Sequence, residues 1–356
     1  MKETLFIYPQ DEVKLPSYYH FSHNLSVRLY DDLVWILKDK KTQKKITVKV
    51  NLKETDTKFD ESSENALDWL ISNGYHTEAD EIVSKHLIFA IISDICHYIY
   101  QALDSSKNIK LTVAFTLLRK PFLENLLIIE QLLSDESDFL RRFETDTKNF
   151  DPGNISIEKK KELIEKSVNK VRTNFLLSPD IIHDIRWDKN NPDSIYASAN
   201  LATHLVTTRN SSYRTEKQNL NFIFSGYDEW DSQLNYFYHF VPHLLYYMTE
   251  ITDQYLLQKK ILTAKKFKER KFLRLLGQML QHDQFDEKSY KGKSIVNKAT
   301  KQLKVTCKNC KRINNLFKSD IYYLVHDDYL FCKFCLQDLL RETNSFNEMI
   351  NKLITK

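Results

Sequence analysis

The chain has 356 residues but only 5 glycines, where average usage of about 7% would give roughly 25, so folds built on glycine-rich phosphate loops are disfavoured. Apolar residues make up 42% and charged residues 28%, the balance of a folded soluble protein, and no run approaches the ~20 apolar residues of a membrane span. The formal charge of +4 conceals a gradient: residues 1–255 hold 30 Lys and Arg against 38 Asp and Glu, net −8, and residues 256–356 hold 22 against 10, net +12.

The N-terminus carries Glu3 and has no long apolar stretch or small-residue cleavage site, which predicts a cytoplasmic protein without a secretory signal. Residues 1–58 alternate apolar and polar side chains in places, as in Leu25-Ser26-Val27-Arg28-Leu29-Tyr30 and Lys45-Ile46-Thr47-Val48-Lys49-Val50-Asn51-Leu52, and predict a small β-rich N-terminal unit. Helical periodicity then takes over. Segments 66–72, 79–103, 111–133, 156–171, 192–207 and 228–257 predict a helical bundle over 59–257, the last opening on Asp228, Glu229 and Asp231, favourable to the helix dipole. Cys96, alone in an apolar helical run, reads as core.

Within the bundle, Arg119, Glu124 and Asn125 interrupt a strongly apolar run, and such groups need partners if buried; an internal ion pair that fixes register competes with a functional cleft lined by Arg119 and Glu124. His239 and His243 stand four apart, a chelating spacing, but Phe240 occupies the place of the general-base Glu of H-E-x-x-H, so they read as ordinary core or surface histidines. Asp94 with His97 and Asp180 with His183 are D-x-x-H pairs without the further glutamates of a di-iron bundle.

Residues 258–290 form a connector whose helix, 258–281, places Ile261, Leu262, Phe272, Leu273, Leu276, Met279 and Leu280 on one face. Lys259, Lys260, Lys266, Arg270, Lys271 and Arg274 fall on the other face, giving a basic amphipathic helix. No G-x-G-x-x-G is present, and Gly292-Lys293-Ser294 has Glu287 where a P-loop needs its first glycine.

Residues 291–356 carry the strongest chemical signal. Cys307-Lys308-Asn309-Cys310 and Cys332-Lys333-Phe334-Cys335 make C-x2-C-x21-C-x2-C, the spacing of two knuckles that give four thiolates to one tetrahedral ion. Zinc in a closed structural site is expected, with an S4 iron site as the alternative. A short strand at 304–306, a hairpin made of 321–325 and 329–331, and a helix opening at the second cysteine pair with Leu336, Leu339, Leu340, Phe346, Met349, Ile350 and Leu353 on one stripe together resemble the treble-clef zinc finger. Lys308, Lys311, Arg312, Lys318 and Lys333 surround the ligands.

The segment 117–127 and Ser198-Ala199-Asn200-Leu201-Ala202-Thr203-His204 give residues 80–255 a resemblance to bacterial helical domains of the HEPN type, found in abortive-infection and other defence systems. Ribonucleases of that superfamily carry an Arg, often followed by Asn, and a His four to six residues later. Here Arg209-Asn210 starts the motif and Arg214 stands in the histidine place, so His204 would have to move the proton.

The sequence therefore predicts a mainly α protein with a β-rich N-terminal unit and a C-terminal zinc module. Its expected role is non-enzymatic: docking nucleic acid through Lys266, Arg270, Arg274, Lys308, Lys311 and Arg312, with the resemblance implying a setting in antiphage defence. The alternatives are a HEPN-like ribonuclease toxin using Arg209, His204, Arg119 and Glu124, and a structural subunit whose zinc tail binds a protein partner or a second copy.

Overall fold

Caps and apolar spacing set the helices. In the computed structural model, which describes residues 4–54, 56, 58–59, 65–171, 176–222, 226–285, 294–301 and 303–340, α1 (His20–Lys38) leads into the single turn α2 (Lys40–Gln43), where Asp39 accepts the Thr42 N–H. Asn65 starts α3 (Ala66–Ser72) by accepting from Leu67 N–H. Then come α4 (His76–Lys107), α5 (Leu111–Arg119) and α6 (Leu126–Ser134), followed by α7 (Glu136–Thr145), capped by Asp135, and α8 (Ile157–Val171). Ser178, with Pro179 in the first turn, opens α9 (Pro179–Trp187), and Ser194 opens α10 (Ile195–Thr203). Such side-chain caps each stabilise a helix by about 1 kcal/mol. Next are α11 (Tyr227–Gln258), where Glu229 reaches back to the Gly226 N–H, and α12 (Ala264–Phe285). The chain continues through α13 (Ile295–Thr300), β1 (Lys304–Thr306), β2 (Ile313–Asn315) and α14 (Lys318–Asp327).

The expected β-rich N-terminal unit is not formed. Leu25–Tyr30 lie within α1, and among the described residues of 1–58 there is no strand. The two-residue alternation misleads because α1 is enclosed on several sides by α4, α11 and α12. It buries small polar groups, Ser22, Asn24 and Ser26, as well as Leu25, Val27, Leu29 and Leu33. Asn24 repays its burial by pairing with both backbone groups of Ile7, at 2.8 Å each, and so ties the N-terminal segment down.

One apolar core runs from Leu5 to Leu339. α4 and α11 are its long axes; α1 packs on both, α5 lies between α4 and α10, and α12 covers α11. By length and composition α4 could cross a membrane, and here Ile88, Ile92, Ile95 and Ile99 on it are fully buried in protein. Between α5 and α6 the turn widens to a π-helix, Lys120–Asn125. Pro121 has no N–H and would clash with the carbonyl four residues back, and the wider turn absorbs both defects. The Phe122 carbonyl in that turn accepts from the buried Arg186 Nε at 2.8 Å, and Arg186 in turn pairs with Glu130, which also accepts from Tyr247 Oη at 2.7 Å.

α12 is not a solvated basic face. Arg270, Lys271 and Arg274 are all buried, because α11 and α1 present carboxylates to that side of the helix. Arg274 Nη1 lies 2.7 Å from Asp253 and 3.1 Å from Asp32, and its Nε 2.8 Å from Glu250. Arg270 Nε lies 2.7 Å from Asp253, its Nη1 3.2 Å from Asp32, and Lys271 Nζ 3.8 Å from Glu250. Three cations thus meet three anions inside the protein, and only Lys266 of the three proposed contacts on this helix is half-exposed, its ammonium over the Trp35 ring.

Candidate metal centre

β1 and β2 pair antiparallel with Val305 opposite Asn314, and their connection holds the first cysteine pair. The Cys307 N–H donates to the Arg312 carbonyl at 3.0 Å, the Lys311 N–H to the Cys307 carbonyl at 2.9 Å, and Lys311 has φ 61°. The second pair repeats this geometry. The Cys332 N–H donates to the Gln337 carbonyl at 2.8 Å, the Leu336 N–H to the Cys332 carbonyl at 2.9 Å, and Leu336 has φ 58°. A bridge between Phe331 and Asp338 closes this second knuckle.

The two loops aim four sulfurs at one point. All four Sγ atoms lie within 4.8 Å of one another, with Cys307 to Cys335 and Cys310 to Cys332 at 3.6 Å. A tetrahedral thiolate site with metal–sulfur bonds of ~2.3 Å needs sulfurs ~3.8 Å apart, so the donor set fits a metal ion. Electrostatics point the same way. Burial raises the Cys332 thiol, but hydrogen bonds from the Phe334 N–H, the Asn314 amide and the Cys335 N–H outweigh it and bring the thiol below its ordinary value. The Arg312 backbone contact lowers Cys310, yet desolvation and the three neighbouring sulfurs leave it raised. Four sulfurs this close cannot all ionise without a cation among them.

Asn314, buried on the inward side of β2, joins the knuckles: its Nδ2 donates to Cys332 Sγ at 3.4 Å and its Oδ1 accepts the Lys333 N–H at 2.8 Å. The only trace of this role in the sequence is a polar residue at the inward position of a short strand. The segment 321–325 is not half of a hairpin. It belongs to α14, started by the Asp320 carboxylate on the Phe317 N–H at 2.7 Å, and inserted between the two knuckles. The second pair sits on turns, and Leu336, Leu339 and Leu340 are not helical. The remainder of that expected stripe, Phe346, Met349, Ile350 and Leu353, lies outside the described residues.

α14 anchors the module to the helical body. Ile321 and Leu324 are buried, and Arg28 on α1 pairs with Asp328 at its end. Lys318 lies 3.6 Å from Asp283 on α12, and Asp283 also accepts the Ile295 N–H at 2.9 Å. Gly277 is the point of closest approach: a Cβ there would stand 2.6 Å from Leu25 Cδ1 and 3.3 Å from Val325 Cγ1.

The surface around the sulfurs mixes cations with exposed rings. Phe317, Phe334 and Leu336 are 61%, 51% and 77% exposed, and Ile313, Tyr323, Tyr329 and Phe331 are exposed beside them. The Arg312 guanidinium lies 4.9 Å from the Phe334 ring centre and the Lys333 ammonium 4.0 Å from that of Phe317. Lys308 and Lys311 are exposed on the first knuckle.

Of the helical-body candidates, Arg119 and Glu124 line one cavity of about 300 Å³ together with Trp187 and Tyr196, and Arg209 and His204 are not among its lining residues. Arg119 is exposed and donates to Asn200 at 3.3 Å, without an ion pair to Glu124; Asn125 and Lys120 instead hold Asp94, at 2.7 and 2.9 Å. The net effect on Asp94 is a lowered pKa, because these two contacts outweigh its desolvation. His204 ends α10 and Arg209 lies on the following loop, both exposed; among the described residues no hydrogen bond joins them. Compared with protein-family models, curated proteins and solved structures, the chain shows no significant match to any.

Proposed function

We propose that Cys307, Cys310, Cys332 and Cys335 bind one zinc ion and that the face they hold docks single-stranded nucleic acid, without catalysis. A four-thiolate set leaves no open position for water or substrate, which supports a structural ion whose binding energy folds a two-knuckle module too small to hold itself together. The observation that carries the docking is the alternation of exposed rings and cations on that face, Arg312 against Phe334 and Lys333 against Phe317, with Lys308 and Lys311 adjoining. Bases stack on exposed rings for about 1–3 kcal/mol each, and the cations track phosphates. Lys333 also pairs with Asp320, so Lys311 and Arg312 are the better phosphate contacts. Arg270 and Arg274 have no part in this reading, because they are buried. We do not favour the ribonuclease alternative, since Arg209 and His204 are both exposed and among the described residues no hydrogen bond joins them.

The test is fluorescence anisotropy with labelled oligo-dT and oligo-U, alongside elemental analysis. About one zinc per chain is expected, with binding that weakens steeply as salt rises. Lys311→Glu/Arg312→Glu and Phe334→Ala should each weaken binding while metal content and melting stay unchanged. Failure of either oligonucleotide to bind at low salt, or binding indifferent to those substitutions, would overturn the docking. Self-association lost in Phe334→Ala would assign the face to a second copy instead.

A further inference from the structure

The cavity lined by Arg119 and Glu124, about 300 Å³, is walled by the π-turn, residues 151–157, α8, the end of α9 and the start of α10. Lys160, in the first turn of α8, also lines it and is only 8% exposed. Its ammonium stands 4.2 Å from the centre of the Trp187 ring, and among the described residues no carboxylate or carbonyl accepts from it. That ammonium is not sealed off. Trp187 Nε1 has no accessible surface, whereas Lys160 Nζ keeps some and so can meet what enters the cavity.

A positive charge is disfavoured at this point on several counts. Burial lowers the Lys160 pKa from 10.5, with Lys189 and Arg186 adding to the effect, and the more distant Asp151 does not offset them. The first turn of a helix is also its positive end, so α8 repels a cation there and attracts an anion. Buried charges are normally paired, and the described residues supply no partner for this one. The charge balance of the wall narrows what the partner is. Arg119, Lys160 and Lys189 face Glu124 and Asp151 across the cavity lining, and among the described residues none of the five forms an ion pair. Asp151 Oδ1 is instead held by the Gly153 N–H at 2.8 Å. Three cations against two anions leave +1, which one monoanion cancels and a phosphate dianion overshoots. Most of the remaining wall is apolar or aromatic, with Leu123, Ile155, Ile157, Trp187 and Tyr196.

We infer that this cavity binds a small monocarboxylate with an aromatic body, its carboxylate against the Lys160 ammonium at the first turn of α8 and its ring along the apolar wall. Arg119 and Lys189, both exposed, attract it at the mouth. The volume stands at the lower end of small-molecule sites, about 300–1,000 Å³, and so suits a single ring system with a short acid arm. The site shares no residue with the cysteine face and does not depend on what that face binds.

Calorimetric titration of the full chain at low salt with phenylacetate and indole-3-acetate, with the neutral amide of each, and with inorganic phosphate, all up to about 10 mM, tests the inference. At least one acid should bind about tenfold or more tightly than its amide and raise the melting temperature. Lys160→Met keeps the apolar stem and removes the unpaired charge, so it should leave the ligand-free melting temperature equal or higher while abolishing the preference for acid over amide. Arg119→Gln, at the exposed mouth, should weaken the acid several-fold and leave the ligand-free melting temperature unchanged. No heat and no melting shift with either acid, equal binding of acid and amide, tighter binding of phosphate than of both acids, or acid binding unchanged in both variants would overturn it.

Discussion

Arg274→Met separates a basic surface from a buried network. In the parent, Arg274 touches Glu250, Asp253 and Asp32, and both carboxylates on α11 are fully buried, so the substitution strands two anions next to each other with only Arg270 and Lys271 to compensate them. Breaking a buried pair from one side costs about 3–5 kcal/mol, of which the methionine recovers a fraction by filling the space. Set against a total stability of about 5–15 kcal/mol, this is a large loss, visible as a lower urea midpoint with little change in slope. Adding Glu250→Gln should return part of it, since burial raises the Glu250 carboxyl even with Arg274 beside it. A helix face that met phosphates would behave in the opposite way, with unchanged folding and weaker binding. A loss below about 1 kcal/mol for Arg274→Met would refute the network as a structural element.

Three further outcomes are expected. Gly277→Ala should destabilise by about 1–3 kcal/mol despite the better helix propensity of alanine, because its Cβ would stand 2.6 Å from Leu25 Cδ1; a more stable variant in thermal denaturation would show that α1 and α14 can draw back. Asn314→Ala should lower metal affinity about 10–100-fold in a competition titration with a chromophoric chelator, since it removes the amide that donates to Cys332 Sγ; unchanged affinity would leave Asn314 a packing residue. Burial pushes His23 from 6.5 to about 4, so the folded state resists a proton that the unfolded chain accepts. Its stabilising share is therefore intact above pH 6.5 and is lost as pH falls toward 4, by about 3 kcal/mol at the acid end. An NMR titration in which the His23 ring protonates near 6.5 would contradict this.

Much of the helical body was legible in the sequence, and the reasons for the exceptions are local. The segments 156–171 and 228–257 match α8 and α11 within a residue at each end, because both have apolar stripes at helical spacing and clear starts. Four cysteines in two C-x-x-C pairs were enough to find the cluster of four sulfurs that could hold a metal ion, because such spacing has few other uses. α1 was not legible, since burial on several sides erases the polar face that marks a surface helix. α14 was obscured by Ile321, Tyr322, Tyr323 and Val325, which favour strands, although Ile321, Leu324 and Val325 do fall at helical spacing and Asp320 supplies the start. The partners of Arg270 and Arg274 lie 17 to 242 residues away in sequence, and no local pattern reveals them.

The charge gradient has a structural consequence. Arg270, Lys271 and Arg274 belong to the basic segment, and Asp32, Glu250 and Asp253 to the acidic one, so part of the asymmetry is two halves of the chain neutralising each other in the core. Setting those six aside takes residues 1–255 from −8 to −5 and residues 256–356 from +12 to +9. The remainder includes Lys304, Lys308, Lys311 and Arg312, which stand on β1 and the first knuckle. Charge reversal therefore has two separable results. On α12 it acts on folding, through buried carboxylates that lose one of the three cations compensating them. At Lys311 and Arg312, on the docking we propose, it acts on long-range attraction to a polyanion, and its effect should fade as salt shortens the Debye length toward 3 Å at about 1 M. A single pair of variants, Arg274→Glu and Arg312→Glu, compared for melting and for salt-dependent binding, distinguishes charge used inside the protein from charge offered to a partner.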